Sequence, residues 1–306
     1  GPYLQSERLL KYRAAAEMLM ERDRAYRCFC TPERLAQLRR EQQVRREPPG
    51  YDGRCRALSR EQAAARSSVE PSVVRFHMER EGKTTLSDLI RGDVTFENGL
   101  QDDFVILKSD GFPTYHLAVI VDDHEMVISH AIRGEEWLSS APKHLQLFKA
   151  MGWSSPHYAH LPLLVDRKGQ KLSKRDGDVA AVDYRNRGYL PEAMLNFLAF
   201  LGWSLDEKTS HITREVFGKV FSLKRVVSNP AFFDVERLDA LNGHHIRALS
   251  AEAWTVLVGE WLERDLPADT PRPLDTSLVG QLAPLLQERV AHLDELTSLV
   301  RFMFRQ

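Results

Sequence analysis

Five consecutive residues could do chemistry together: Lys171, Leu172, Ser173, Lys174 and Arg175, followed by Asp176, Gly177 and Asp178. Two ammonium groups flanking a hydroxyl can neutralise a polyphosphate and hydrogen-bond to it. The segment follows an apolar stretch, residues 161–165, that reads as a strand. Open α/β sheets bind ligands beyond the carboxyl ends of their strands. A basic surface turn has the same composition, and five residues alone favour that plainer reading. Basic pairs also occur at Arg39-Arg40, Arg45-Arg46 and Lys224-Arg225. Singly these are solvated faces, although a folded patch of them could meet phosphates. His124-Glu125 with His130 is not a zinc-protease motif, because the second histidine falls six residues on rather than four.

The elements that must position these residues are partly legible. Leu9, Tyr12, Ala16 and Leu19 recur at spacings of one helical face. Thr31-Pro32-Glu33 opens a helix with a capping hydroxyl, a proline in the first turn and an acid near the positive end. Leu35 and Leu38 continue it, Pro48-Pro49-Gly50 breaks the chain, and Ser59 with Gln62 forms a capping box. Residues 73–78, 93–96 and 104–108 read as strands, and Ser109-Asp110-Gly111 as a turn. Residues 126–133 read as a buried strand, 140–151 as a helix ended by Gly152, and 161–165 as another strand. This alternation predicts a parallel sheet covered by helices. Helices are expected at 191–201, 234–241, 251–262 and 278–304, with a linker at 204–210.

The bulk numbers set limits. The 306 residues suffice for two or three domains, and 43% hydrophobic with 28% charged residues is an ordinary soluble composition. No apolar run approaches the roughly 18 residues of a membrane helix. No signal-peptide pattern is recognised at the start. Three cysteines, an odd number, argue against a disulfide framework and for a reducing cytoplasm. A formal net charge of -1 does not mark a nucleic-acid binder.

Longer segments carry a resemblance. Asp110-Gly111-Phe112-Pro113-Thr114-Tyr115-His116-Leu117-Ala118, Val121-Asp122-Asp123-His124, and His130-Ala131-Ile132-Arg133-Gly134-Glu135-Glu136-Trp137-Leu138 resemble the core of the glutamyl-tRNA synthetase family. The loop at 171–175 is similar to the lysine-serine-lysine signature of class I aminoacyl-tRNA synthetases, in the variant typical of the glutamyl branch. Gly1-Pro2-Tyr3 with Gln5-Ser6-Glu7-Arg8, Gly50-Tyr51-Asp52-Gly53-Arg54-Cys55, and Phe233-Asp234 with Asn242-Gly243 match as well, so the resemblance runs through nearly the whole chain in order.

The resemblance implies an α/β fold. A Rossmann-like nucleotide-binding domain would hold 1–27 and 109–175, interrupted by an α+β insertion at 28–108 that grips the tRNA acceptor end. A connecting region at 176–215 would lead to an all-α anticodon-binding region from 216 to 306. It implies ATP-dependent activation of L-glutamate with Mg2+ and transfer to tRNA(Glu), by a monomer. Lys174 and Lys171 would stabilise phosphate charge. Leu172, Ser173, Arg175 and Glu136 would complete the ATP contacts. Tyr115 and Arg133 would bind glutamate, a guanidinium being suited to a carboxylate through paired hydrogen bonds. The alternatives are an Arg133 paired with Asp122, Asp123 or Glu136, and a half-buried core Tyr115.

There are departures from the family pattern. A pocket position that is often asparagine is Val119 here. No H-I-G-H-like motif is found; Gly243-His244-His245 lies in the helical part and is a decoy. The chain is therefore expected to be a fragment, lacking its N-terminal portion and the far anticodon-binding portion. Alone it should be inactive, with apolar surface exposed at a sheet edge. Cys28-Phe29-Cys30 and Cys55 resemble a zinc knuckle of some members, but the usual histidine position is Ala57. Tyr51 could serve as fourth ligand to Zn2+, as in a related tRNA-modifying paralogue; three thiols in a metal-free fold are the alternative. Rival functions are a glutaminyl-tRNA synthetase, the paralogue that glutamylates a tRNA base, and a non-catalytic tRNA-binding module.

Overall fold

The computed structural model describes residues 1–172, 180–206 and 208–304. Ser173, Lys174 and Arg175 thus lie outside the described residues. The chain is mixed α/β, as expected, and divides into two compact units, Gly1–His160 and Leu161–Gln306.

In the first unit, α1 (Leu9–Glu21) buries Tyr12, Ala16 and Leu19, the face that the spacing predicted. There follow β1 (Ala25–Cys28), α2 (Pro32–Val44), α3 (Arg60–Ser67), β2 (Val73–Phe76), β3 (Lys83–Asp88), β4 (Gly92–Glu97) and β5 (Val105–Leu107). The unit ends with α4 (Tyr115–Glu125), β6 (His130–Gly134), α5 (Ala141–Met151) and β7 (His157–Leu161). Local signals set several of these boundaries. The Thr31 hydroxyl accepts the Arg34 N–H and opens α2; Ser59 and Gln62 form the capping box of α3. Gly152 closes α5 at φ 71°, a backbone state in which glycine meets no Cβ penalty.

Strands β1, β2 and β5 form one antiparallel sheet, and a second sheet runs β4-β3-β7-β6. Strand β3 pairs antiparallel with β4 and parallel with β7, Asp88 facing Tyr158. The expectation of a parallel sheet therefore holds at β3 and β7 but not at the β3/β4 hairpin. Helices α1, α4 and α5 close over the first sheet through Tyr12, Leu19, Phe76, Met78, Ile106, Leu117, Ile120, Leu147 and Phe148. Asp122 ties α4 to α1, accepting from Arg8 Nε and the Tyr12 hydroxyl at 2.8 Å each.

Two strand expectations are corrected here. The apolar run 126–133 is shared among a helix end, a link and a short strand. Helix α4 runs to Glu125, Val127 takes φ 56°, and β6 starts only at His130. It lies at a sheet edge rather than buried, with Ile128 and Ile132 exposed. The run 161–165 is divided at Pro162, which has no N–H for a ladder. Leu161 ends β7, while Leu164–Val165 forms a separate strand, β8. Strand β3 was not foreseen because Lys-Thr-Thr-Leu-Ser-Asp buries only Leu86 and Asp88.

In the second unit β8 (Leu164–Val165) pairs in parallel with β9 (Ala231–Phe232). Its helices are α6 (Ala181–Asn186), α7 (Pro191–Ala199), α8 (Arg214–Val220), α9 (Val235–Arg247), α10 (Ala251–Asp265), α11 (Thr276–Gln287) and α12 (Asp294–Val300). Trp254, Val258, Leu262, Ala283, Val290 and Leu296 are among the residues of its largest core. The single helix expected over 278–304 is broken between Gln287 and Asp294. Tertiary partners take up the backbone there: Asn242 donates to the Ala291 carbonyl, and Leu293 N–H to the Gly188 carbonyl at 3.3 Å. Among the described residues no helix is long and apolar enough to cross a membrane.

Candidate active site

Arg133 stands at the end of β6, and the elements around it supply its partners. Its guanidinium donates to His144 Nδ1 of α5 at 2.9 Å and to the Asp123 carboxylate of α4 at 3.3 Å. His144 is fully buried, and its Nε2 lies 3.0 Å from His116 Nδ1 of α4. A guanidinium offers no acceptor, so His144 Nδ1 must carry the lone pair and Nε2 the proton. His116 Nδ1 then accepts. Tyr115, at the start of α4, remains 42% exposed and packs on Trp137, with ring centroids 4.4 Å apart. Arg133 also lies over the Tyr158 ring at 5.6 Å. The buried Tyr158 hydroxyl has no hydrogen-bond partner among the described residues.

The pairing alternative for Arg133 is realised, with Asp123 as the partner. Asp122 is engaged by Arg8 and Tyr12. These two hydrogen bonds use two of the five guanidinium donors, which leaves others for an anion. Glu136 is exposed, its carboxylate folded against Gly134, while neighbouring Glu135 pairs with Arg91 at 2.9 Å.

Burial governs the titration of this cluster. It pushes His144 down to about 2, with Arg133, His116, Lys143 and His160 acting in the same sense. Burial likewise lowers His116 to about 4, aided by Lys143 and Arg133. Asp123 is raised by burial, with Arg133 opposing. Both imidazoles are thus neutral near pH 7. Below the unfolded value of about 6.5 the unfolded chain binds protons that the folded chain does not. Stability should fall on acidification from about pH 6.5 towards 4, by up to about 1.4 kcal/mol per pH unit for each histidine. Chemical denaturation at stepped pH checks this, and a His144→Gln variant should show a shallower slope.

The second unit holds the described part of the lysine loop. Lys171 makes an antiparallel bridge with Val165, and Leu172 N–H donates to the Leu164 carbonyl at 3.0 Å. The intervening turn is organised by Asp166, whose carboxylate accepts the N–H groups of Lys168 and Gln170 at 2.8 Å. The expected ATP contacts of Ser173, Lys174 and Arg175 fall outside the described residues.

A third cluster collects Cys28 from the end of β1, Cys30 from the link before α2, and Cys55 from the loop after it. Their sulfurs all lie within 4.8 Å of one another. Gln42 clamps Gly50 through both its N–H and carbonyl, and Asp102 accepts the Tyr51 N–H at 2.9 Å. Tyr51 is thereby turned inward. Its hydroxyl lies 3.4 Å from the Cys28 sulfur and 3.7 Å from that of Cys30. Burial opposes ionisation of Cys28, but the Tyr51 hydroxyl, the Cys30 backbone and Arg75 outweigh it, so its thiol titrates below the ordinary range. Burial and the neighbouring Cys28 push Cys30 up to about 11. Tetrahedral zinc with bonds of about 2.3 Å places sulfurs about 3.8 Å apart. The Cys30–Cys55 separation of 3.7 Å fits that spacing.

Comparison with known proteins gives these clusters a context. Residues 1–240 match the family described as tRNA synthetases class I (E and Q), catalytic domain. The chain belongs to this family. It is 50% identical over 304 residues to a glutamate–tRNA ligase of Dehalococcoides mccartyi, covering 99% of this chain and 62% of that protein. A glutamate–tRNA ligase of Acidothermus cellulolyticus is 45% identical over 308 residues, covering 100% and 61%. The crystal structure of a glutamate tRNA ligase from Elizabethkingia meningosepticum in complex with its amino acid superposes with a TM-score of 0.87 at 34% identity, covering 100% of this chain and 65% of that one. The chain thus spans about three fifths of the length of these curated relatives.

Sequence reading singled out Arg133, Tyr115 and Glu136 but not His144, His116 as its partner, or Tyr158. Helical spacing marks His144 as one more inward residue of α5. Its role depends on partners 11 and 28 residues away in sequence, which no local pattern connects.

Proposed function

We propose that the protein is a glutamate–tRNA ligase: it activates L-glutamate with ATP and transfers the glutamyl group to the 3' end of tRNA(Glu). The observation that carries this is family membership over residues 1–240, joined by relatives named for that activity along the whole chain. In the first step a glutamate carboxylate oxygen attacks the α-phosphorus of ATP, and pyrophosphate leaves. In the second, the terminal ribose hydroxyl of tRNA attacks the acyl carbon and AMP leaves. The protein's contribution is alignment and charge stabilisation. Arg133, with donors to spare, and Tyr115, whose ring lies 6.2 Å from that of His144, would hold substrate glutamate. Lys174 and Lys171, with Leu172, Ser173, Arg175 and Glu136, would hold ATP, and Mg2+ would share the phosphate charge.

The division into a nucleotide-binding fold at 1–27 and 109–175, an acceptor-end insertion at 28–108, a connection at 176–215 and an anticodon-binding region from 216 belongs to the same reading. So does a monomer working in the cytoplasm, where three free thiols remain reduced. Cys28, Cys30, Cys55 and Tyr51 would hold a structural Zn2+ that ties β1 to the loop after α2. Elemental analysis of protein purified without chelator should find about one zinc per chain, lost in Cys28→Ser. A full-length protein free of zinc would remove that part of the reading.

A charging assay tests the function. The chain in its full reading frame is given total tRNA, ATP and either labelled glutamate or labelled glutamine. Glutamate alone should be attached, and Lys174→Ala should lose at least about 2.7 kcal/mol of transition-state stabilisation. Glutamine charging would move the protein to the sister activity. Attachment of neither would leave a tRNA-binding module.

A further inference from the structure

We propose that His144 is a positioning residue for carboxylate recognition: its Nδ1 lone pair holds the Arg133 guanidinium in place, and its Nε2–H, given to His116, locks the imidazole in the tautomer this requires. The proposal deepens the reading of Arg133 as the glutamate ligand and rests on it. Three observations carry it. The Arg133–His144 contact is 2.9 Å, shorter than the 3.3 Å to Asp123. The His144 side chain is fully buried, so no bulk water competes for Nδ1. The other ring nitrogen is engaged at 3.0 Å by His116, whose own ring is braced edge-on by Phe104 at 5.1 Å.

The chemistry explains why the anchor is an imidazole. An arginine side chain has many rotamers to lose, and recognition of a planar carboxylate requires the fork to be fixed in advance. A single partner at Asp123 leaves it free to swing about that contact. A second carboxylate would fix it, but would also cancel the charge that attracts the substrate. A neutral imidazole acceptor fixes the fork and leaves the charge balance unchanged. It can do so only with its Nδ1 unprotonated, and a donor bond to His116 ensures this.

Three substitutions separate the two ring nitrogens. His144→Asn keeps an acceptor near the place of Nδ1. His144→Gln keeps a donor near the place of Nε2. His144→Leu keeps neither. L-glutamate binding by titration calorimetry, on the chain in its full reading frame, should weaken about tenfold or more in the Leu and Gln variants. It should stay within about threefold of the parent in the Asn variant, with ATP binding unchanged in all. Undiminished glutamate binding in His144→Leu, or equal losses in the Asn and Leu variants, overturns the proposal while leaving Arg133 as the ligand. A parent protein that binds no glutamate overturns the pocket assignment itself, and the proposal with it. Nitrogen-15 chemical shifts of the imidazole give a readout that needs no variant to fold. Nδ1 of His144 should show the unprotonated value and Nε2 the protonated one; the reverse tautomer refutes the proposal outright.

Discussion

Gly188→Ala is expected to destabilise the second unit by about 2–5 kcal/mol, a sum of left-handed backbone cost and overpacking. Gly188 has φ +82°, where an L side chain is strained whatever the space around it. There is also no space. A Cβ there would collide with Leu293 Cβ and lie 2.8 Å from both the Leu293 nitrogen and the Trp261 ring. Neither neighbour can give way cheaply. Leu293 N–H bonds the Gly188 carbonyl at 3.3 Å and Asp294 N–H bonds the Arg187 carbonyl at 3.2 Å, so this approach fixes the break between α11 and α12. Urea denaturation followed by tryptophan fluorescence measures the effect, since Trp254 and Trp261 sit in this core. Gly280 is the control. It lies within α11, and a Cβ there meets nothing within 4 Å, so Gly280→Ala should gain about 0.5–1 kcal/mol of helix propensity. Equal effects at the two sites would contradict the close packing described for Gly188.

Arg133→Met should weaken L-glutamate binding by about 100-fold, within the 2–5 kcal/mol typical when one partner of a buried charge pair is removed. It should also change how stability responds to pH. Asp123 is already raised by burial, and Arg133 is the group that opposes the rise. Without Arg133 its folded value climbs further above the unfolded one. The folded chain then holds a proton over a range where the unfolded chain has released it. Such a group loses its contribution to stability as pH rises through that range. The deficit of the variant relative to the parent should therefore be larger at pH 7 than at pH 5. Calorimetric titration with glutamate and denaturation at the two pH values test the two halves separately. Unchanged affinity would show that Arg133 serves only the pair with Asp123. A pH-independent deficit would show that Asp123 does not take up the proton.

Features that neighbouring residues settle among themselves can be read directly from the chain. The Thr31 and Ser59 caps, the glycine that ends α5 and the buried face of α1 each depend on residues within one or two helical turns, and all were legible. The segments around Tyr115 and Arg133 and the lysine loop carry the family resemblance as a pattern of residue types in order, which needs no fold to be read. The remaining features depend on residues far apart in the chain. Strand β3 reads as polar because most of its length faces outward, and its place beside β7 follows from the Asp88 to Tyr158 register. Only the end of the apolar run at 126–133 becomes a strand, β6, and it is an edge because, among the described residues, no other strand pairs beyond it in its sheet. The helix expected over 278–304 is broken because Gly188 and Asn242 offer its backbone better partners than continuation would. The linked set of His116, His144, Arg133 and Asp123 exists only once α4, β6 and α5 have packed together. Its members come from three elements, and each is unremarkable in its own element; the buried hydrogen bonds between them make the arrangement specific.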